Sequence, residues 1–107
     1  MPINQITAPQ LQQRLKAEPA PVLLDVREKH EYAYAHIPAS QLIPLGQISE
    51  RYDELDKNAE IVVICHHGVR SLQACHFLQQ LGFSQLSNLQ GGIDAWSVLC
   101  DSSVPRY

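Results

Sequence analysis

One segment joins a nucleophile to the groups that would activate it: Ile61-Val62-Val63-Ile64-Cys65-His66-His67-Gly68-Val69-Arg70-Ser71. Four β-branched residues in a row predict a strand, so Cys65 falls on the last residue of a central strand, before a glycine-bearing loop and an arginine at a helix start. In open parallel sheets ligands bind at the carboxyl ends of strands, where the next helix presents unpaired N–H groups and the positive end of its dipole. The thiolate is the reactive form of cysteine. Loop N–H groups, a helix N-terminus and a guanidinium all favour it, so a depressed thiol pKa is expected. Gly68 permits the backbone angles that turn N–H groups inward. Arg70 offers a planar fork of donors that grips an oxyanion such as a sulfonate. His66 and His67, which ordinarily titrate near ~6.5, are expected to tune the loop by adding positive charge on protonation.

The other candidates read as structure. A Cys65/His66/His67 metal site is set aside, because adjacent residues rarely point at one ion and no paired ligand spacing occurs. Three cysteines are too few for a disulfide scaffold. Cys75 shares a helix face with Leu72 and Leu78 and reads as core, whereas Cys100, near the end of the last helix, is an alternative candidate for a resolving partner of Cys65. Asp25 and Arg27 suggest an ion pair bracing loops around the site. Trp96 reads as core beside a close Gly91-Gly92 turn, and His30, His36 and His76 as surface or structural groups.

The elements that must position the loop follow from periodicity. A capping Thr7 and the Leu11/Leu15 spacing predict a helix over about 8–17. The run 22–26 predicts a buried strand, 28–35 a helix ended by His36-Ile37-Pro38, 41–43 a weak strand, and 46–56 a helix carrying Ile48, Tyr52 and Leu55. After the strand 61–64 come a helix over 70–81 with Leu72, Cys75, Leu78 and Leu81 on one face, a strand at 86–89 and a helix near 92–99. Alternating strands and helices imply a parallel sheet covered on both sides.

The 107 residues fit one domain, 1–107, and 45% hydrophobic with 18% charged residues excludes disorder and repeats. A net charge of −3 with scattered basic residues argues against nucleic acid. No apolar run reaches the ~20 residues of a membrane span, and the first residues lack the basic start and apolar stretch of a secretory signal, so a cytoplasmic protein is expected.

Four segments in order resemble the single-domain rhodanese family. Cys65, Gly68 and Arg70 match a C-x-x-G-x-R signature, and Asp25-Val26-Arg27 a D-x-R element. Ala35-His36-Ile37-Pro38-Ala39-Ser40 resembles G-H-I-P-G-A, with alanine in place of both glycines, and Leu89-Gln90-Gly91-Gly92-Ile93-Asp94-Ala95-Trp96 resembles L-x-G-G-x-x-A-W. The resemblance implies an α/β fold with a five-stranded, mostly parallel sheet flanked by helices on both faces. It implies that Cys65 accepts sulfane sulfur as a persulfide. Residues His66, His67, Gly68, Val69 and Arg70 would bind the substrate, their backbone N–H groups cradling the sulfur while Arg70 helps to hold an anionic donor and close the loop.

The expected activity is therefore a thiosulfate-type sulfurtransferase without metal or organic cofactor, taking sulfur from thiosulfate or a persulfide and passing it to a thiol or cyanide. An alternative is a carrier that delivers persulfide to a partner protein, and a further one a non-catalytic interaction domain. Phosphatases and arsenate reductases on a related scaffold place five residues between Cys and Arg. Here there are four, which removes roughly 3.5 Å of contour and suits one sulfur atom better than a tetrahedral phosphate.

Overall fold

The computed structural model describes residues 2–107. Five strands, β1 (Asn4–Ile6), β2 (Val22–Asp25), β3 (Gln41–Leu42), β4 (Ile61–Ile64) and β5 (Leu86–Leu89), form one sheet in the order β1-β5-β4-β2-β3. Every pairing is parallel. Helices α1 (Ala8–Arg14), α2 (Lys29–Tyr34), α3 (Ile48–Arg51) and α4 (Val69–Gln80) connect the strands, with single 3-10 turns on either side of α3, and α5 (Gly92–Leu99) follows β5. No helix among the described residues is long and apolar enough to cross a membrane.

Alternation along the strands divides the core into two layers. Leu24, Val63, Cys65 and Leu86 face Ile48, Cys75 and Leu78 on one side, while Leu23, Val62, Ile64 and Leu89 face Leu11, Ile93 and Trp96 on the other. The four β4 residues are fully buried, as the central strand of a doubly covered sheet must be. Such burial stabilises by about 1.5–3 kcal/mol per large apolar side chain.

Several boundaries differ from the sequence reading. Strand β1 escapes the pattern because two of its three residues are polar: it is an edge strand, and Asn4 and Gln5 face solvent. Helix α1 stops at Arg14 instead of 17, although its Thr7/Gln10 capping box forms. The 46–56 periodicity is real, since Ile48 and Leu55 are buried, but the backbone alternates 3-10, α and 3-10 turns, whose three-residue spacing presents the same side chains. Strand β4 ends at Ile64, which makes Cys65 the first residue beyond it.

The two alanines in the 35–40 segment differ in consequence. Ala35 is extended at φ −156°, where any residue fits, whereas Ala39 adopts φ +69°. That left-handed conformation strains an L-residue with a Cβ. Ala39→Gly should therefore stabilise the protein by about 1 kcal/mol, read as a higher denaturation midpoint with an unchanged slope.

Candidate active site

Cys65 leaves β4 with its side chain in the α3/α4 layer and 1% of its surface exposed. The chain then turns through His66 and His67 to Gly68, which caps α4 at φ +110° and aims its N–H at Cys65 Sγ, 3.0 Å away. A side chain at that angle would be strained, so glycine is required for the turn that points the donor inward. Ser71, one turn into α4, places its hydroxyl 3.3 Å from the same sulfur. It also hydrogen-bonds Asn88 Oδ1 on β5. A hydroxyl has one proton, so Ser71 gives it to Asn88 while accepting from a thiol, or turns it to a thiolate. Asn88 Nδ2 donates to Gly68 O and to Gln5 Oε1, both at 3.1 Å, which ties the loop to β5 and the edge strand.

The far side of the loop is held by α5. Ile93 N–H donates to Cys65 O at 2.8 Å and Asp94 N–H to His66 O at 3.2 Å, so the start of α5 satisfies the carbonyls that precede the turn. This approach needs Gly92: at φ +61°, a Cβ there would meet the Cys65 and His66 carbonyl oxygens head on.

Arg70 lies at the start of α4, and its Nη1 and Nη2 donate to the two carboxylate oxygens of Glu31 at 2.7 and 3.0 Å. The pair drives the Glu31 carboxyl far below its usual range, with further donation from Glu28 N–H and the Tyr107 hydroxyl, and drives Arg70 upward. Tyr107 OH also accepts from Arg27 Nη1 at 2.9 Å. Arg27 and Asp25 are fully buried and joined through Nε and Nη2, at 2.6–3.1 Å, with Arg27 Nη2 donating to Ala35 O as well. The expected brace is therefore present, extended into a chain Asp25–Arg27–Tyr107–Glu31–Arg70.

His66 is stacked between His67 and Tyr107, with ring centroids 3.9 Å apart on each side. Burial, then the neighbouring His67, lowers its pKa, which works against the protonation expected of it. His67 and Val69 are exposed. Potential ligand atoms of His66, His67 and Asp94 lie within 4.8 Å of one another, but Arg106 holds the Asp94 carboxylate. Cys75 is core, its thiol pushed up to about 12 by burial. Cys100 packs against the α1/α5 layer, across the sheet from Cys65, and so is not placed to resolve it. Trp96 is core, as expected.

Sequence reading missed Ser71, Asn88, Glu31 and Tyr107. Ser71 was legible in principle. The buried face of α4 is Ser71, Ala74, Cys75 and Leu78, with Leu72 and Leu81 only half-buried, and i, i+3, i+4, i+7 spacing from Ser71 describes it. Asn88 carried a weaker sign, a polar residue inside a strand. Nothing local marks Glu31 or Tyr107 as partners of the loop.

Two outcomes follow from this geometry. Gly92→Ala should destabilise the fold by about 2–4 kcal/mol, through a left-handed alanine and displacement of the loop carbonyls, as measured by denaturant titration. Because the folded Glu31 carboxyl titrates below its ordinary 4.5, its stabilisation is complete above that pH and is lost as pH falls below it. The unfolding free energy of Glu31→Gln should accordingly fall less steeply on acidification than that of the native protein.

The rhodanese-like domain family matches residues 7–99. A protein named sulfurtransferase from Allochromatium vinosum is 38% identical over 95 residues, covering 89% of each chain. A thiosulfate sulfurtransferase, GlpE, from Pseudoalteromonas translucida is 29% identical over 85 residues, covering 79% of this chain and 81% of the relative. The crystal structure of a rhodanese-like domain protein from Staphylococcus aureus superposes with a TM-score of 0.86 at 28% identity, covering 98% and 99% of the two chains. With the strand order, the loop and these likenesses in agreement, the chain belongs to the rhodanese-like domain family.

Proposed function

We propose that the protein is a sulfurtransferase that takes sulfane sulfur from thiosulfate or a persulfide onto Cys65 and passes it to a thiophilic acceptor. The observation that carries this reading is the position of Cys65 Sγ: at the carboxyl end of the central strand, facing the Gly68 N–H at 3.0 Å in the turn that starts α4. The names of the relatives agree with it. In the first half-reaction the Cys65 thiolate attacks the sulfane sulfur; an S–S bond forms and the bond to the leaving group breaks with its electron pair. Backbone N–H groups of residues 66–70 cradle the sulfur, and Ser71 turns its hydroxyl to the anionic atom. In the second, a thiolate or cyanide attacks the outer sulfur and Cys65 leaves as thiolate, which makes the exchange ping-pong and free of metal or organic cofactor.

The carrier reading uses the same residues, with a protein thiol as acceptor. It is separated by comparing transfer to cyanide with transfer to protein thiols. The phosphatase-like reading is disfavoured by the four-residue spacing between Cys65 and Arg70 and by the commitment of Arg70 to Glu31.

Intact mass after mixing with a sulfur donor and desalting tests the proposal directly. The native protein should gain one sulfur atom. Cys65→Ser should gain none and lose turnover by more than about a thousandfold, a hydroxyl being a far weaker nucleophile near neutral pH. Cys75→Ala and Cys100→Ser should load normally. Sulfur uptake by the Cys65 variant, or efficient hydrolysis of aryl phosphates by the native protein, would refute the assignment.

A further inference from the structure

Arg70 is the group expected to receive an anionic donor, yet its fork is already filled. Glu31 engages it through both carboxylate oxygens, at 2.7 and 3.0 Å, in the bidentate geometry a sulfonate would take. Glu31 is itself fixed by the Glu28 N–H at 2.9 Å and the Tyr107 hydroxyl at 2.7 Å. The other arginines of the site are equally committed, Arg27 to Asp25 and Arg106 to Asp94. His66 is stacked between His67 and Tyr107, and burial there disfavours its protonated form. A thiosulfate dianion reaching the loop thus meets a guanidinium already balanced by a carboxylate, and must displace Glu31 or lie beside it.

Next to the pair, His30, Glu31, Tyr34 and Tyr107 line an open hollow of about 420 Å3. Tyr34 and Tyr107 stand edge to face at 6.0 Å, offering aromatic surface beside His30. Such a wall suits the carbon skeleton of an organic donor.

We propose that Glu31 is the donor-specificity residue: by occupying the Arg70 fork it disfavours thiosulfate-type oxyanions, leaving organic persulfides seated against the tyrosine wall as the preferred donors. This rests on Cys65 being the sulfur acceptor. The step balances without an oxidant. The Cys65 thiolate attacks the terminal sulfur of R–S–SH, the new S–S bond forms as the bond from that sulfur to R–S breaks, and R–S leaves as thiolate with the electron pair while the transferred sulfur keeps its proton.

The test compares thiosulfate with 2-hydroxyethyl persulfide, whose carbon skeleton carries no ionisable carboxylate, sulfonate or amine. The native protein should favour the persulfide by about 100-fold in kcat/KM, and Glu31→Gln should lower the KM for thiosulfate by about tenfold and narrow that preference by about as much. Glu54→Gln, which removes an equal charge from a carboxylate paired with Arg51, should leave the donor ratio unchanged. An unchanged thiosulfate KM in folded Glu31→Gln, or equal losses with both donors, would overturn the proposal and leave Glu31 a brace. Sulfate protection of Cys65 against iodoacetamide gives a reading that needs no variant: weak protection of the native protein supports an occupied fork, and strong protection overturns it. Failure of both donors to add sulfur to native Cys65 would overturn the sulfur-transfer reading itself, and this one with it.

Discussion

The site depends on the buried Asp25–Arg27 ion pair. Both residues follow or end β2, both are wholly removed from solvent, and the carboxylate receives two guanidinium nitrogens. Burial of two charges is favourable only when every donor and acceptor is satisfied, and removing one partner of such a pair typically costs about 3–5 kcal/mol. Here the remaining donors of Arg27 are spent on Ala35 O and the Tyr107 hydroxyl, so the pair fixes the segment after α2 and the residue that covers His66 in one arrangement. Through Tyr107 and Glu31 the same constraint reaches Arg70, and hence the start of α4. The loop around Cys65 is therefore positioned from β2 as firmly as from its own strand.

A second set of contacts approaches from the other edge. Asn88 joins Ser71, Gly68 O and Gln5, while the first N–H groups of α5 take the carbonyls of Cys65 and His66. The sulfur faces polar donors while its own strand lies in an apolar core, so any charge it carries is stabilised by fixed dipoles and not by mobile water. Fixed dipoles need no rearrangement as charge moves between sulfur atoms, which suits the proposed transfer. The arginines are paired off nearby, so the environment is polar without being strongly cationic.

The parts of this arrangement legible in the sequence are those written within a few residues. Ile61 to Arg70 displays strand, nucleophile, turn glycine and helix start consecutively, and Gly91-Gly92 marks a close backbone approach. The Asp25–Arg27 pair is also local, two residues apart. Strand β1 was hidden because Asn4 and Gln5 sit on an edge with no apolar alternation. Glu31 and Tyr107 were hidden for another reason: Glu31 meets Arg70 across 39 residues and Tyr107 meets Glu31 across 76, separations that only the fold closes. The stacking of His66 was hidden for the same cause, since one of the rings against it comes from Tyr107.

The strand order has a consequence for how the protein is made. Strand β1 pairs only with β5, and Gln5 on β1 contacts the Asn88 that holds the cysteine loop. During synthesis the first strand must therefore wait for the last, and the thiol leaves the ribosome well before the residues that complete its enclosure. The last contacts that enclose the Cys65 sulfur are thus made only when β1 and β5 meet.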